Sequence, residues 1–430
     1  MAENMNYGTT SFPVHLPPEQ IAAELEANPV ALEDVSAAEH VRRALEHPIG
    51  SPRLKELVRA GDKVCIIVSD ITRAWQSSDV FMPLLVGELE EAGVRDEDIL
   101  ILSATGTHRR QTEEEHIKLV SEQVYRRIRV EDHQCTDQEN LSYVGTTSRG
   151  TPVWLDRRAL ECDKLILTGG VVYHFLAGYG GGRKSILPGI AGRETIMKNH
   201  VLALNPGLGS GSNPKVCSAN MNETNPLHMD MMEACAMVNP TFLLNVVADD
   251  NQKIVGAFAG DWREAHQAAC QLVDDMYGVR VKERTPLVIA STGGFPKDIN
   301  IYQAVKTLCN ALCVVEEKGT IILLARAEEG FGDPDCQRII VDYPTLLDRE
   351  KALRENFSIG AYIGYKFAET AENYHLILVT DLPQEQFGSA KLQAVKTLDE
   401  ALALAWKEAG HKDLRATLLP HGANTLPKLG

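Results

Sequence analysis

The chain has 430 residues, 44% apolar and 24% charged, the composition of an ordinary soluble globular protein of two or three domains. With 59 acidic against 43 basic residues the net charge is −16, which argues against a nucleic-acid or anionic-membrane surface and requires local cations for any anionic ligand. No apolar run is long enough to cross a bilayer, the N-terminus lacks the basic start and apolar core of a secretory signal, and nine cysteines without paired CxxC spacing read as reduced thiols of a cytoplasmic protein.

In chain order, 62–68 (DKVCIIV) is a continuous apolar run, the pattern of a strand buried on both faces. A loop over 69–78 and a helix over 80–92 follow, then a strand over 98–103 and a helix over 112–124. The run 165–168 is a further strand that feeds a glycine-rich segment; 243–247 is another, and 262–277 an amphipathic helix. Polar, charged residues at 278–285 read as a linker. Beyond it come strands at 286–290, 320–324 and 374–379, with helices at 301–315 and 398–408. This alternation predicts an α/β protein of two domains, each a largely parallel sheet flanked by helices. The expected division is 1–280, completed by the tail 412–430, and 285–405.

The segment Thr168–His200 carries the most chemistry. It holds His174, glycines 178, 180, 181 and 182, the pair Arg183-Lys184, and a helical stretch ending at Asn199-His200. A strand, a glycine turn and a helix start can present backbone N–H groups to a phosphate. It is not a P-loop: Arg183 separates Gly182 from Lys184, where that motif needs glycine directly before lysine. A ligand loop and a structural turn both fit the glycines alone. Other reactive residues also follow predicted strands: Asp70, Thr72 and Arg73 after the first, and His108 and Arg109 after the second. Ligands of open parallel sheets bind outside such carboxyl ends.

Together these pieces resemble the nickel-dependent lactate racemase family of 2-hydroxyacid racemases and epimerases. The matching stretches are Asp70-Ile71-Thr72-Arg73, ATGTHR from Ala104, Tyr173-His174 with AGYGGGRKSILPGI, Asn199-His200, GGFPKDINIYQAVK from Gly293, and PHGANTLP from Pro420, so nearly the whole chain is covered. The resemblance implies a nickel-pincer nucleotide, a nicotinate-derived mononucleotide whose sulfur-bearing arms and ring carbon clamp one Ni2+. It implies covalent attachment through a thioamide at Lys184 and nickel coordination by His200. Asp70, Thr72 and the glycines Gly180, Gly181 and Gly182 are the implied cofactor contacts.

Hydrogen on C2 of a 2-hydroxyacid is very weakly acidic, so the family removes it as hydride while a base takes the hydroxyl proton. The resemblance puts His108 and His174 in that role, one for each enantiomer, since imidazole titrates in the right range. It makes Arg73 the carboxylate clamp and Gln303, Lys306 and Tyr302 the substrate contacts of the second domain, across an interdomain active-site cleft. Lys297 is a rival cation there. Lactate is the first expected substrate, with malate, a longer aliphatic acid or a sugar acid as alternatives. Cofactor-building and nickel-inserting enzymes are implied partners. A phosphate-binding transferase and a non-catalytic sensor are the readings from other classes; His108 and His174 together with Lys184 speak against the sensor.

Overall fold

The computed structural model describes residues 4–430. The strands of its two large sheets are, in chain order, β1 (Ile21–Glu24), β2 (Val64–Ser69), β3 (Ile99–Ala104), β4 (Arg129–Asp132), β5 (Lys164–Gly170), β6 (Phe242–Ala248), β7 (Ile254–Gly260), β8 (Thr285–Ser291), β9 (Val315–Leu324), β10 (His375–Val379), β11 (Gln393–Val395) and β12 (Ala416–Leu419). The chain forms two compact units. One comprises Val30–Leu202 and Ala219–Asp275; the other takes the residues up to Pro29, Ala203–Ser218 and Met276–Gly430.

The first unit has the strand order β7-β6-β5-β2-β3-β4, parallel except for the β6–β7 pair. Its central strand β2 is buried from Val64 to Val68, and one face packs on Phe81, Leu85 and Leu89 of the helix Ser78–Glu91. Strand order explains the continuous apolar run: a central parallel strand has helices on both sides and no wet face. Progression from β2 to β3 and β4 runs one way, whereas β5 and β6 lie on the other side of β2. The reversal between β2 and β5 marks the crevice where such sheets take ligands. The helix expected over 112–124 is broken at Ser121, whose φ of 72° ends Glu113–Val120 and starts Glu122–Tyr125.

The second unit is ordered β11-β10-β9-β8-β12-β1 and is parallel throughout. Its core joins Leu287, Ile289, Ile322 and Ile377 to Leu398 and Leu402 of the helix Leu398–Ala409. The tail expected to complete the first domain lies in this sheet instead. β12 runs beside Leu287–Ala290 of β8, and β1 from the N-terminal segment covers its other edge. All four side chains of β12 are apolar or hydroxylic and buried, so it needs a sheet interior. The stretch read as a linker contains the strand Gly278–Val281, paired with Leu426–Leu429. Three helices over 334–373 fill a region for which the sequence predicts no element. They hold the 203–218 segment: Glu350 accepts the Gly209 N–H at 3.0 Å, Glu369 the Ser212 N–H at 2.7 Å, and Arg354 donates to the Asn205 carbonyl at 2.8 Å. Among the described residues no helix is long and apolar enough to cross a membrane.

Candidate active site

Three loops leave the carboxyl ends of the neighbouring strands β5, β2 and β3. Adjacent strands lie about 4.8 Å apart, so the three loop origins fall within about 10 Å. The fold thus gathers Asp70, Thr72 and Arg73 after β2, His108 after β3, and His174 and Lys184 after β5 at one sheet edge.

Asp70 is the pivot of the first loop. It caps the short 3-10 turn Ile71–Gln76, its Oδ1 accepting the Thr72 N–H at 3.2 Å and the Thr72 hydroxyl at 2.5 Å. Its Oδ2 meets Nδ1 of His108 in a short hydrogen bond. Burial works to raise the Asp70 carboxyl, but the His108 and Thr72 hydrogen bonds and the nearby Arg73 outweigh it and hold the group below the usual carboxylate range. An ionised carboxylate only accepts, so Nδ1 of His108 carries hydrogen and its Nε2 is the atom left for chemistry. Gln111 braces the loop: its Oε1 accepts the Ile71 N–H at 2.6 Å, while its Nε2 donates to Ser103 Oγ at 2.7 Å. The Arg73 side chain is exposed and donates to the Thr72 carbonyl and hydroxyl at 3.2 and 3.1 Å. Among the described residues no carboxylate forms an ion pair with it, as suits an anion clamp.

His174 sits in a small antiparallel hairpin, Tyr173–His174 against Gly178–Tyr179. Both tyrosine hydroxyls donate to Oδ1 of Asp274 at 2.6 Å, tying the hairpin to the helix Glu264–Tyr277. Nδ1 of His174 accepts the N–H groups of Leu176 and Ala177, each at 3.2 Å.

The glycine loop uses several of its amides in internal hydrogen bonds. The N–H groups of Gly180, Gly182 and Lys184 are taken by the Val172 carbonyl at 2.8 Å, Asn245 Oδ1 at 3.0 Å and the Gly181 carbonyl at 3.1 Å. Gly182 has φ 56°, and a Cβ there would lie 2.6 Å from the His266 ring, so the residue is dictated by conformation and packing. The pair Arg183-Lys184 divides. Arg183 is fully buried and donates to the Tyr179 carbonyl at 3.0 Å and to the Ala177 carbonyl. Burial lowers its guanidinium to about 10. Arg183 is therefore an internal strut, whereas Lys184 is only half-buried.

His200 ends the helix Arg193–His200. Its Nδ1 donates to the Ile196 carbonyl at 2.9 Å. Burial, and then the charge of Lys184, lowers its pKa to about 4, so the ring is neutral with its lone pair on Nε2. That is the metal-ligating form of imidazole. Among the described residues there is no group of three or more His, Cys, Asp or Glu side chains able to hold a metal. One neutral imidazole beside a lysine fits a metal that arrives with its other ligands, not a bare ion.

His228 and His266 are likewise lowered to about 3, by burial first and then by Arg183. An unfolded chain takes up these protons as pH falls below about 6.5, the folded chain only near 4 or lower. Stability is therefore fully present above about 6.5 and lost toward pH 4. We expect the melting temperature of the cofactor-free protein to drop across that window; a flat profile there would contradict the three assignments.

In the second unit, Tyr302, Gln303 and Lys306 lie on the helix Ile301–Ala311 that follows β8. Asn300 caps it by accepting the Gln303 N–H at 3.0 Å, and Lys306 Nζ donates to Gln303 Oε1 at 3.4 Å, so the two polar groups share a face. The sequence reading missed Gln111, Asp274 and Asn245. Asn245 alone had a signal, as the one strongly polar residue in the strand FLLNVVA, where a buried amide must find partners.

The comparisons agree over the whole length. Residues 7–211 match the family model for the lactate racemase N-terminal domain, and 281–426 that for the lactate racemase C-terminal domain. A lactate racemase of Lactiplantibacillus plantarum is 33% identical over 442 residues, covering 100% of both chains. One from Thermoanaerobacterium thermosaccharolyticum is 32% identical, covering 98% of this chain and 97% of its own. The structure of the lactate racemase apoprotein from the latter organism superposes with a TM-score of 0.88 at 32% identity and full coverage of both chains. A Thermotoga maritima protein at 20% identity and a TM-score of 0.64 shares the fold. The class so defined is an isomerase of the racemase type. The chain belongs to the lactate racemase family.

Proposed function

We propose that the protein interconverts the D and L forms of a small 2-hydroxyacid, lactate first, by moving the C2 hydrogen as hydride. The observation that carries this reading is the Asp70–His108 pair on the same sheet edge as Lys184, with the neutral His200 near that lysine. When bound, a nickel-pincer nucleotide attached at Lys184 and ligated by His200 would supply the hydride acceptor. The chain's own residues supply the rest. Arg73 offers a guanidinium to the substrate carboxylate, a geometry suited to two parallel hydrogen bonds. His108 accepts the hydroxyl proton at Nε2, and Asp70 holds the ring and balances the imidazolium charge. Thr72 keeps Asp70 in place. Gly180, Gly181 and Gly182 shape the loop that presents Lys184 to the cofactor. His174, at the same sheet edge, takes the role of His108 for the other enantiomer. Gln303, Lys306 and Tyr302 are the second unit's substrate residues in this reading. In this reading the cofactor comes from separate building and nickel-inserting enzymes, which are the protein's partners. The nine cysteines are all unpaired, which is compatible with the cytoplasmic setting of this reading.

The test uses protein produced together with those enzymes and one substrate enantiomer deuterated at C2. Racemisation in ordinary water should retain the label. Washout at the rate of racemisation would instead show proton abstraction at C2. A screen of 2-hydroxyacids then separates lactate from malate, longer aliphatic and sugar acids.

A further inference from the structure

The Asp70–His108 pair is held from behind. Resting on the racemase reading, we infer that Gln111 and Asp132 are positioning residues of the reaction. Together they fix the loop that aims Asp70 at His108, and so keep hydrogen on Nδ1 of His108 and the lone pair on Nε2.

The two members of the pair stand on different loops, after β2 and after β3. The other hydrogen bonds of the Asp70 carboxylate, from the N–H and hydroxyl of Thr72, lie within its own loop and move with it. Among the described residues one further hydrogen bond ties the two loops, from the Ile71 N–H to Gln111 Oε1 at 2.6 Å. That N–H shares a planar peptide with the Asp70 carbonyl, which accepts the Arg73 N–H at 2.9 Å. The peptide is gripped at both ends, and with it the direction in which the Asp70 side chain leaves the backbone.

What Gln111 can do depends on Asp132. Its side chain accepts through Oε1 from Ile71, and donates through Nε2 to Ser103 Oγ at 2.7 Å and to Asp132 Oδ1 at 3.1 Å. A carboxamide is the group that offers an acceptor and two donors at once. Asp132, the last residue of β4, decides which way round that amide lies. Burial works to raise its carboxyl, but hydrogen bonds from His116 and Gln111 outweigh it and hold the group below the usual carboxylate range. An ionised carboxylate only accepts, so the NH2 end must face Asp132 and Oε1 must face Ile71. Asp132 Oδ2 also takes the Gln111 backbone N–H at 2.9 Å, and Oδ1 the Nε2 hydrogen of His116 at 2.9 Å. The next residue secures the other foot of the loop: the His133 carbonyl accepts the Thr105 hydroxyl at 2.5 Å. Both feet of the segment that carries His108 therefore stand on the end of β4. Among the described residues neither Gln111 nor Asp132 hydrogen-bonds the His108 ring, so their influence on it passes through Asp70.

Two measurements decide this. The first uses the cofactor-free, full-length chain labelled with 15N-histidine at about pH 8, where an ordinary imidazole is neutral. His108 in the unaltered chain should show a protonated Nδ1 and an unprotonated Nε2, its signal assigned by loss in His108→Gln. In Gln111→Met and in Asp132→Asn, each with unchanged circular dichroism, hydrogen should move to Nε2 in a measurable share of molecules. Asp132→Asn is the sharper case, because its amide can donate and so lets the Gln111 amide turn over. An unmoved His108 signal in both variants, or an unprotonated Nδ1 in the unaltered chain, overturns the inference.

The second measurement compares loaded enzymes at equal cofactor content. Gln111→Met should lower kcat about ten- to a hundredfold, the scale of a small misplacement of a reacting group. In a His108→Ala background the same change should lower it by less than about twofold, because residues acting through one another are not additive. Equal loss in both backgrounds is the mark of a role in folding alone and overturns the inference. If Gln111→Met does not fold, Asp132→Asn takes its place in both measurements. An unaltered loaded enzyme that fails to racemise overturns the racemase reading instead, and the tautomer measurement stands without it.

Discussion

His108→Ala should lower kcat by about a hundred- to ten-thousand-fold while cofactor stays bound, the usual contribution of a general base. Asp70→Asn should fall in the same range for a different reason. An amide can turn its N–H toward Nδ1 of His108, which shifts the ring hydrogen to Nε2 and removes the lone pair that must accept the hydroxyl proton. Because Asp70 is buried and caps Ile71–Gln76, the Asn variant also tests whether the loop survives, read by circular dichroism and cofactor content. Near-normal turnover of His108→Ala in both directions would remove His108 from the reaction.

Lys184→Ala should abolish covalent cofactor and activity together, because no other side chain in the turn Gly182–Ser185 carries a primary amine. Intact mass of protein made with the cofactor-building enzymes gives the answer: an adduct unchanged in the variant would refute the attachment site. Arginine at 184 should fail as well, since a guanidinium does not form the thioamide. His200→Ala should reduce bound nickel more than it reduces folding, measured by metal analysis beside thermal melting. Its imidazole is already neutral and buried, so the apoprotein loses a hydrogen bond to Ile196 and no charge.

The strands that position the site were readable because burial leaves a mark on composition. Val64–Val68 and Leu165–Leu167 are unbroken apolar runs, and the reactive residues follow them at once. The residues that set tautomers were not readable in that way. Asp70 and His108 are 38 positions apart, and Tyr173 and Asp274 are 101 apart, so only the assembled sheet and helix bring them together. The glycine run shows where the local signal is ambiguous. Glycines that offer amides to a phosphate and glycines that make room for His266 and Asn245 look alike in sequence. Arg183 likewise looked as available as Lys184, yet of the two neighbours Arg183 is fully buried and Lys184 only half-buried. The tail was misplaced because Ala416–Leu419 has too few residues to state its partner, and β8 lies some 130 positions earlier in the chain.

The assembly of the second sheet bears on how the molecule is made. Every strand of the first sheet, from β2 to β7, is present once the ribosome has passed residue 260. The second sheet draws on segments far apart in the chain: β12 lies between β8 and β1, and it is synthesised after both. Until it emerges, β1 has no neighbour and β8 shows a bare edge, the kind of surface on which nascent chains stick to one another. A stalled or prematurely terminated chain would therefore carry a finished half and an adhesive half. Chaperone demand during translation should concentrate on the interval between the synthesis of β8 and that of β12.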